Sequence, residues 1–297
     1  MRVYDQAAKL RASVKRNALA RTIAVASGKG GVGKSNVALN FSLALGKLGK
    51  SVLLIDLDLG MGNIEILLGI SAKRSFVDMI QNRLRMEEIV ETGPDDLDFI
   101  AAGAAMDEFF RMDGGGFAHF QQEFERAQQR YDFVILDMGA GLTEESAGFI
   151  LAADESIIVT TTEPTSMMDA YALIKHIKSM NADLPMNLLV NRAMDRQEGQ
   201  DTADRMKEVV QTFLHAEILL LGILPEDKQI PKSVKMQEPF INQKDSKAGA
   251  IMKQLASDYL KPAEGMTAKG RTSFIGKLKE IWMKGGTPNG KNTRFGR

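Results

Sequence analysis

A glycine-rich segment at residues 28–35, which contains two lysines and a serine, directly follows the first apolar run of the chain. Glycines let successive backbone N–H groups point at one anion, and the N-terminus of the following helix adds positive charge. Lys34 would reach the terminal phosphates of a nucleotide, and the Ser35 hydroxyl would bind Mg²⁺. This spacing is that of a P-loop and predicts nucleotide binding. The residues that we expect to bind the nucleotide here are Gly28, Gly30, Gly31, Val32, Gly33, Lys34, Ser35 and Asn36.

Lys29 is the unusual residue of this loop, because an ordinary P-loop has no need of a second lysine just after its first glycine. Its position beside the phosphate cradle makes it informative about mechanism. We therefore interpret it together with the acidic residues that follow other apolar runs.

Acidic residues end two of the predicted strands and are each followed by glycine. Asp56 and Asp58 precede Gly60, and Asp137 precedes Gly141. Carboxylates in such places can hold Mg²⁺, directly or through water, and can orient an attacking water. Glycine lets the loop change conformation as the terminal phosphate comes and goes. The alternative is that strand-end aspartates only cap the next helix, but two of them beside a complete P-loop favour nucleotide chemistry.

Base recognition is predicted at two further strand ends. Asn191 has an amide that could pair with an adenine edge, with Arg192 next to it, and Pro225 and Glu226 could wrap the base with their backbone. A strand-end asparagine is also a common turn residue. The sequence has no Asn-Lys-x-Asp guanine reader.

Apolar, β-branched runs alternate with helical patterns along the chain. Continuously apolar strands that alternate with helices predict an α/β fold, a single P-loop NTPase domain with a mostly parallel, twisted sheet flanked by helices on both faces. The predicted strands are residues 22–26, 51–56, 97–101, 133–137, 156–161, 187–191 and 217–224, and the predicted helices are 36–48, 117–130, 166–179, 202–214, 246–260 and 272–284.

The composition excludes several classes of site. The 297 residues include no cysteine, which rules out disulfides, thiolate catalysis and chain-held iron–sulfur clusters. No secretory signal opens the chain and no apolar run approaches the roughly 18 residues that span a bilayer, so we expect a cytoplasmic location.

The charge is zero overall but unevenly distributed. Residues 1–22 carry six Lys/Arg and one Asp, and residues 261–297 carry nine Lys/Arg and two Glu. Basic ends on an acidic body suggest anionic partners, with solvated tails as the alternative.

The predicted C-terminal helix is amphipathic. One face is apolar and lysines flank it, a pattern typical of helices that bind anionic membrane lipids at the interface. A preceding Gly/Ala/Pro-rich linker favours this prediction. The alternative is that the same face docks permanently on the protein body. The residues of the apolar face are Phe274, Ile275, Leu278, Ile281 and Trp282.

Three motifs together resemble the MinD/ParA class of deviant Walker A ATPases over residues 20–260. They are the loop with Lys29, Asp56-x-Asp58-x-Gly60-x-x-Asn63 and Asp137-x-x-x-Gly141. The resemblance implies a MinD/SIMIBI-like ATPase that uses ATP/ADP and Mg²⁺ and forms an ATP-sandwich homodimer. In that dimer Lys29 would reach phosphates bound by the other subunit. The same resemblance implies that the catalytic residues are Lys29, Asp58 and Asp137. It implies that Mg²⁺ is held by Ser35, Asp56 and Asp137, and that the switch residues are Gly60, Asn63 and Gly141.

The N-terminal segment resembles the activator motif of the FlhG (YlxH/FleN) family, the MinD-like regulators of flagellar number and placement. The matching residues are Asp5, Gln6, Ala7, Leu10 and Arg11. This resemblance implies stimulation of the GTPase of FlhF and contacts with flagellar C-ring switch proteins, in a protein peripheral to the inner face of the cell membrane. The alternative is that this N-terminal segment is only a basic, unstructured extension. Gly139 agrees with this family, since MinD proper usually has proline there.

The resulting domain organisation has five parts. They are an activator segment (1–21), an ATPase domain (22–260), a linker (261–271), a membrane helix (272–284) and a disordered basic tail (285–297). Two rival functions remain at this point: a MinD-type regulator of the division site and a ParA-like DNA-binding partition protein. The apolar C-terminal face argues against the second, so we expect no specific nucleic-acid partner.

Overall fold

An eight-stranded sheet forms the centre of the computed structural model, which describes residues 19–58, 62–103, 114–141, 143–261 and 273–284. The strand order is β3-β4-β2-β5-β1-β6-β7-β8. Every neighbouring pair is parallel except β3 and β4, which confirms the predicted mostly parallel sheet. The strands are β1 Arg21–Ala26, β2 Val52–Leu57, β3 Glu91–Thr92, β4 Asp98–Ile100, β5 Phe133–Met138, β6 Glu155–Thr161, β7 Met186–Ala193 and β8 Leu219–Pro225.

Ten α-helices accompany the sheet in the described ranges. They are α1 Lys34–Lys47, α2 Ile64–Leu68, α3 Phe76–Asn82, α4 Gly114–Arg130, α5 Glu144–Ala152, α6 Pro164–Met180, α7 Arg196–Leu214, α8 Gln229–Met236, α9 Lys247–Tyr259 and α10 Phe274–Lys284.

Two hydrophobic cores lie on opposite faces of the sheet, because successive side chains of a strand point to opposite sides. In β1, Ala24 and Ala26 face the core that α3–α7 and α10 cover. Ile23 and Val25 face the other core, under α1, α2, α8 and α9. The sheet is therefore covered on both faces, as its continuously apolar strands require.

Several short elements differ from the sequence-based expectation. The two-residue strand β3 and the helices α2, α3, α5 and α8 were not predicted, because they are too short to show a clear hydrophobic period. Side-chain caps define some of their ends. In α3, for example, Ser75 accepts from the backbone N–H of Asp78, whose carboxylate accepts from Ser75 N–H.

The C-terminal helix α10 is helical as predicted, but it packs on the body. Its Phe274, Ile275 and Leu278 are at most 1% exposed, and Ile281 packs against the same core. The Phe274 ring stacks on Phe124 of α4 with 4.4 Å between ring centroids. The apolar face thus adopts the docked alternative in this structure, and its binding to a membrane stays a prediction. Trp282 lies in the last turn, and its side chain is outside the described set.

None of the helices in the described ranges combines the length and the apolar content needed to cross a bilayer. Several predictions fall outside the described residues. These are the activator residues Asp5, Gln6, Ala7, Leu10 and Arg11, the switch glycine Gly60, most of the linker and the C-terminal tail.

Candidate nucleotide-binding site

The P-loop joins β1 to α1 in the middle of the sheet, at the carboxyl ends of the strands. This is where parallel α/β sheets bind their ligands. Gly31 and Gly33 have φ angles of 80° and 91°, which favour glycine, and Gly33 is the N-cap of α1. The loop therefore has the curled backbone and the helix N-terminus that a phosphate site requires.

Two loop glycines also touch neighbouring elements too closely for any side chain. A Cβ on Gly28 would lie 2.2 Å from the carbonyl carbon and oxygen of Asp169 in α6. A Cβ on Gly33 would lie 2.5 Å from Nδ2 of Asn191, at the end of β7. The loop is consequently held between α6 and β7.

Lys34 and Asp137 form a buried ion pair below the loop. The Lys34 Nζ lies 2.6 Å from Oδ1 of Asp137, and the two side chains are 6% and 0% exposed. Burial raises the pKa of Asp137, while the Lys34 ammonium acts in the opposite direction. Oδ2 of Asp137 is buried without a hydrogen-bond partner. The site thus has one buried carboxylate oxygen free to accept a further donor or a cation.

Asp56 organises the loop that follows β2. Its carboxylate accepts backbone N–H groups from Asp58 at 3.0 Å, Asn63 at 2.8 Å and Ile64 at 3.1 Å. Burial and the neighbouring Asp137 raise the pKa of Asp56 to about 6. Asp56 therefore does cap the next helix, α2, and it also holds the predicted switch residue Asn63. Its role toward Mg²⁺ stays a prediction.

The loop after β5, which contains the predicted switch residue Gly141, is tied to the P-loop. The Gly141 N–H donates to the carbonyl of Ser27 at 3.1 Å, and the Gly141 φ of 79° needs glycine. Gly139 lies against the side chain of Asp58, since a Cβ there would be 3.6 Å from Asp58 Oδ1. The fold thereby brings Asp58 and the loop after Asp137 together, as the sequence predicted.

The proposed base-binding residues lie at the same edge of the sheet. The Asn191 Nδ2 donates to the carbonyl of Val32 at 2.8 Å, whereas Oδ1 is buried without a partner. Arg192 has a left-handed φ of 58°, and Glu226 N–H donates to Ala193 at 2.8 Å, which places the turn after Pro225 beside them. Asn191 therefore braces the P-loop, and its free oxygen can accept from an adenine amino group.

Lys29 forms hydrogen bonds with two residues that were not predicted from the sequence. Its Nζ donates to Oε2 of Glu163 at 2.8 Å and to Oγ1 of Thr165 at 3.0 Å. The Lys29 ammonium holds the pKa of Glu163 below its usual range. Glu163 is a further acidic residue after a strand at this edge, directly before the proline that starts α6. That pattern was the available signal.

The donor set is compatible with Mg²⁺ bound together with nucleotide phosphates. Within the described ranges there is no cluster of three or more His, Asp or Glu side chains that could hold a metal. Mg²⁺ commonly needs only one or two protein ligands beside phosphates and water. The Ser35 hydroxyl, 3.4 Å from Lys34 Nζ, and the unpaired Oδ2 of Asp137 are donors that would supply such ligands.

Comparisons with known proteins agree with this geometry. A family model described as an AAA domain matches residues 20–190. The antiactivator FleN of Pseudomonas aeruginosa is 33% identical over 247 residues, covering 82% of this chain and 88% of FleN. The flagellum site-determining protein YlxH of Helicobacter pylori is 28% identical over 267 residues, covering 82% of this chain and 86% of YlxH.

A solved structure extends the similarity to three dimensions. The MinC:MinD cell division protein complex of Aquifex aeolicus matches with a TM-score of 0.65 and 26% identity. The match covers 84% of this chain and 100% of the chain in that structure. The similarity therefore extends over most of the fold.

Proposed function

The chain belongs to the MinD/ParA family of P-loop ATPases, and on that premise we propose that it is an ATP-hydrolysing switch that regulates flagellar number and placement. FleN and YlxH, similar over 82% of the chain, support the flagellar assignment. A MinD-type division regulator is the second candidate, supported by the 26% identity to the Aquifex aeolicus MinD complex. The identity to FleN, 33%, exceeds the 30% identity to the septum site-determining protein MinD of Bacillus subtilis, and this difference favours the flagellar role.

The position of Lys29 is the observation that carries the switch mechanism. Lys34 is buried against Asp137 inside the site, whereas Lys29 is 31% exposed on the outer side of the same loop. A lysine there can reach a phosphate bound by a second subunit facing this edge. Two nucleotide-loaded subunits would then stabilise each other, so the homodimer would depend on ATP.

Nucleotide binding begins with an exchange of partners at Lys34. The backbone N–H groups of the loop and the α1 N-terminus bind the phosphates, and Lys34 leaves Asp137 for the terminal phosphates. Ser35 and Asp137 would hold Mg²⁺, which neutralises phosphate charge when it is bound. The free Oδ1 of Asn191 accepts a hydrogen bond from the adenine amino group.

Hydrolysis returns the switch to the monomer. Asp58, beside Gly139, orients the attacking water, and Lys29 of the partner subunit stabilises negative charge on the phosphates. Loss of the terminal phosphate releases the loops that contain Asn63 and Gly141. The Gly141–Ser27 hydrogen bond is one contact through which this release reaches the P-loop.

Membrane binding follows from release of α10. This helix packs mainly on α5, which begins just after the Gly141 loop, and also on α4. A shift of α5 on ATP binding would weaken the packing of α10 on the body. The apolar face of α10 would then be free to bind anionic lipids at the inner face of the cell membrane. Two helices per dimer would add avidity, since one such helix binds weakly.

Liposome co-sedimentation of the full chain tests this function. We expect the protein to sediment with anionic liposomes in the presence of ATP and to stay in the supernatant with ADP. A variant that ends before Thr272 should keep nucleotide binding and lose sedimentation. Equal sedimentation of that variant would contradict the membrane role of α10.

The flagellar role is tested at the N-terminal segment. We propose that residues 1–22 stimulate the GTPase of FlhF and that the body binds C-ring switch proteins. Deletion of residues 1–22 should abolish the stimulation while ATP hydrolysis by the body continues. Unchanged stimulation would reject the activator segment and favour the division regulator.

A further inference from the structure

Lys29 is held by two side chains at the start of α6. The Nζ group donates to Glu163 at 2.8 Å and to Thr165 at 3.0 Å, and the Glu163 side chain is 66% exposed. We name this pair of residues, Glu163 and Thr165, the lysine dock. Both its members come from the same chain as Lys29, so a lysine bound there cannot reach across to a second subunit.

The dock is fixed relative to the P-loop. Gly28 leaves no space for a side chain against Asp169 of α6, so loop and helix are in direct backbone contact. Pro164 occupies the first turn of α6, and Ser166 Oγ accepts from the backbone N–H of Thr161 at 3.0 Å. Because backbone and cap are held in this way, release of Lys29 requires only rotation of its own side chain.

We propose that the lysine dock restrains ATP-dependent dimerisation by holding Lys29 until a second nucleotide-loaded subunit competes for it. This inference rests on the proposed dimer. The dock and the partner's phosphates compete for one ammonium group, so each dimer must open two docks. Arg192 is a second cation whose field acts on Glu163, which gives the carboxylate a compensating charge after Lys29 leaves.

The size of the effect follows from the exposure of the pair. A solvent-exposed ion pair shifts an equilibrium by up to about fivefold. Since two docks open per dimer, removal of the dock should tighten the dimer by up to about 25-fold. A restraint of this size delays dimerisation without preventing it.

The first measurement examines the dock in the nucleotide-free protein. The acylation rate of Lys29 by an amine-reactive ester is followed by mass spectrometry in the wild type, Glu163→Gln and Thr165→Val. We expect faster labelling of Lys29 in both variants. Glu217→Gln, which removes an equal charge from an exposed residue beside the start of β8, should leave the rate unchanged.

The second measurement is the dimer dissociation constant with a non-hydrolysable ATP analogue, determined by sedimentation velocity. Glu163→Gln should lower it several-fold, Thr165→Val should lower it less, and Glu217→Gln should not change it. In a Lys29→Ala background, Glu163→Gln should have no further effect, because the dock acts only through Lys29. A purely structural role of Glu163 would persist in that background.

The possible outcomes distinguish a failure of the lysine dock from a failure of the proposed dimer. Unchanged labelling of Lys29 in Glu163→Gln overturns the dock itself. Faster labelling with an unchanged or weaker dimer overturns its restraining role. A wild type that stays monomeric at saturating analogue contradicts the proposed dimer, and with it the regulation, while the labelling result still decides the contact.

Discussion

Lys34 and Asp137 form the buried centre of the site, with 2.6 Å between Nζ and Oδ1. They are 103 positions apart in the chain, and neither is more than 6% exposed. A buried pair of this kind needs both partners, because a single charge left in the interior is costly. Removal of either partner alone is therefore expected to be destabilising, and we expect the pair to open when phosphates bind.

Lys34→Ala should weaken both folding and nucleotide binding. We expect the free energy of unfolding to fall by about 3 kcal/mol at neutral pH, because Asp137 loses its compensating charge. The loss should be smaller at lower pH, where Asp137 takes up a proton. Urea denaturation and nucleotide titration measure the two effects. Lys253→Ala, at an exposed position of α9, is the control. Equal stability of both variants would contradict the prediction.

Asp58→Ala should separate hydrolysis from dimerisation. If Asp58 orients the attacking water as we propose, its loss should reduce ATP turnover at least about 100-fold. Dimers with ATP should persist, because Asp58 does not belong to the P-loop cradle. Phosphate release and sedimentation velocity report the two properties, with the exposed Asp183→Ala as control. A monomeric Asp58→Ala protein in saturating ATP would count against this role.

Lys29→Ala should lower turnover and dimer formation together. The reason is that one side chain would serve both, by contacting phosphates held by the other subunit. ATPase activity measured across a range of protein concentrations, with sedimentation at the same concentrations, tests the link. Lys50→Ala, an exposed lysine after α1, provides the matched control. A fall in turnover with intact dimers would show that Lys29 acts on its own nucleotide.

Phe124→Leu should weaken the packing of α10 on the body. It removes the ring that stacks on Phe274, and we expect a loss of about 1 kcal/mol in the free energy of unfolding. Binding to anionic liposomes with ADP should rise as the apolar face becomes available. Phe41→Leu is a matched control, since its buried ring packs on Tyr259 in the core on the other side of the sheet. Equal liposome binding by the two variants would contradict the shielding.

The pH dependence of stability should reveal the raised pKa of Asp56. Its pKa is raised from 3.8 to about 6, so the folded protein binds more protons than the unfolded chain between about pH 4 and 6. Through this group the free energy of unfolding should fall as pH rises across that interval, by up to about 3 kcal/mol, and should then level off. Asp56→Asn should flatten this slope in urea denaturation experiments. The slope is the readout, since the absolute stability also changes with the hydrogen bonds. An unchanged slope would remove Asp56 as the cause.

The main strands and the phosphate loop were predictable from sequence because their signals are local. The seven predicted strands are continuous apolar runs, and each overlaps a strand of the structure. The P-loop is recognised by its spacing alone. Acidic residues at strand ends were expected to converge, since parallel strands end at one edge. Asp56 and Asp137 are indeed register partners on β2 and β5.

The contacts of particular side chains were beyond such reasoning. Lys29 meets Glu163 across 134 positions, and Asn191 meets Val32 across 159. Local patterns do not specify which strand-end residues will touch, because that depends on the strand order and on how closely loops pack. The strand order places β6 beside β1 and β7 beside β6, and their carboxyl ends thereby lie near the P-loop.

The C-terminal helix shows most clearly which properties follow from the sequence and which depend on the tertiary structure. The sequence by itself determined that residues 274–284 form an amphipathic helix, because helical period and apolar spacing are local properties. Only the tertiary structure decided that Phe274, Ile275 and Leu278 pack on α4 and α5. The physical reason is that the hydrophobic effect has no direction, so the same apolar face is satisfied by a protein core or by a lipid surface.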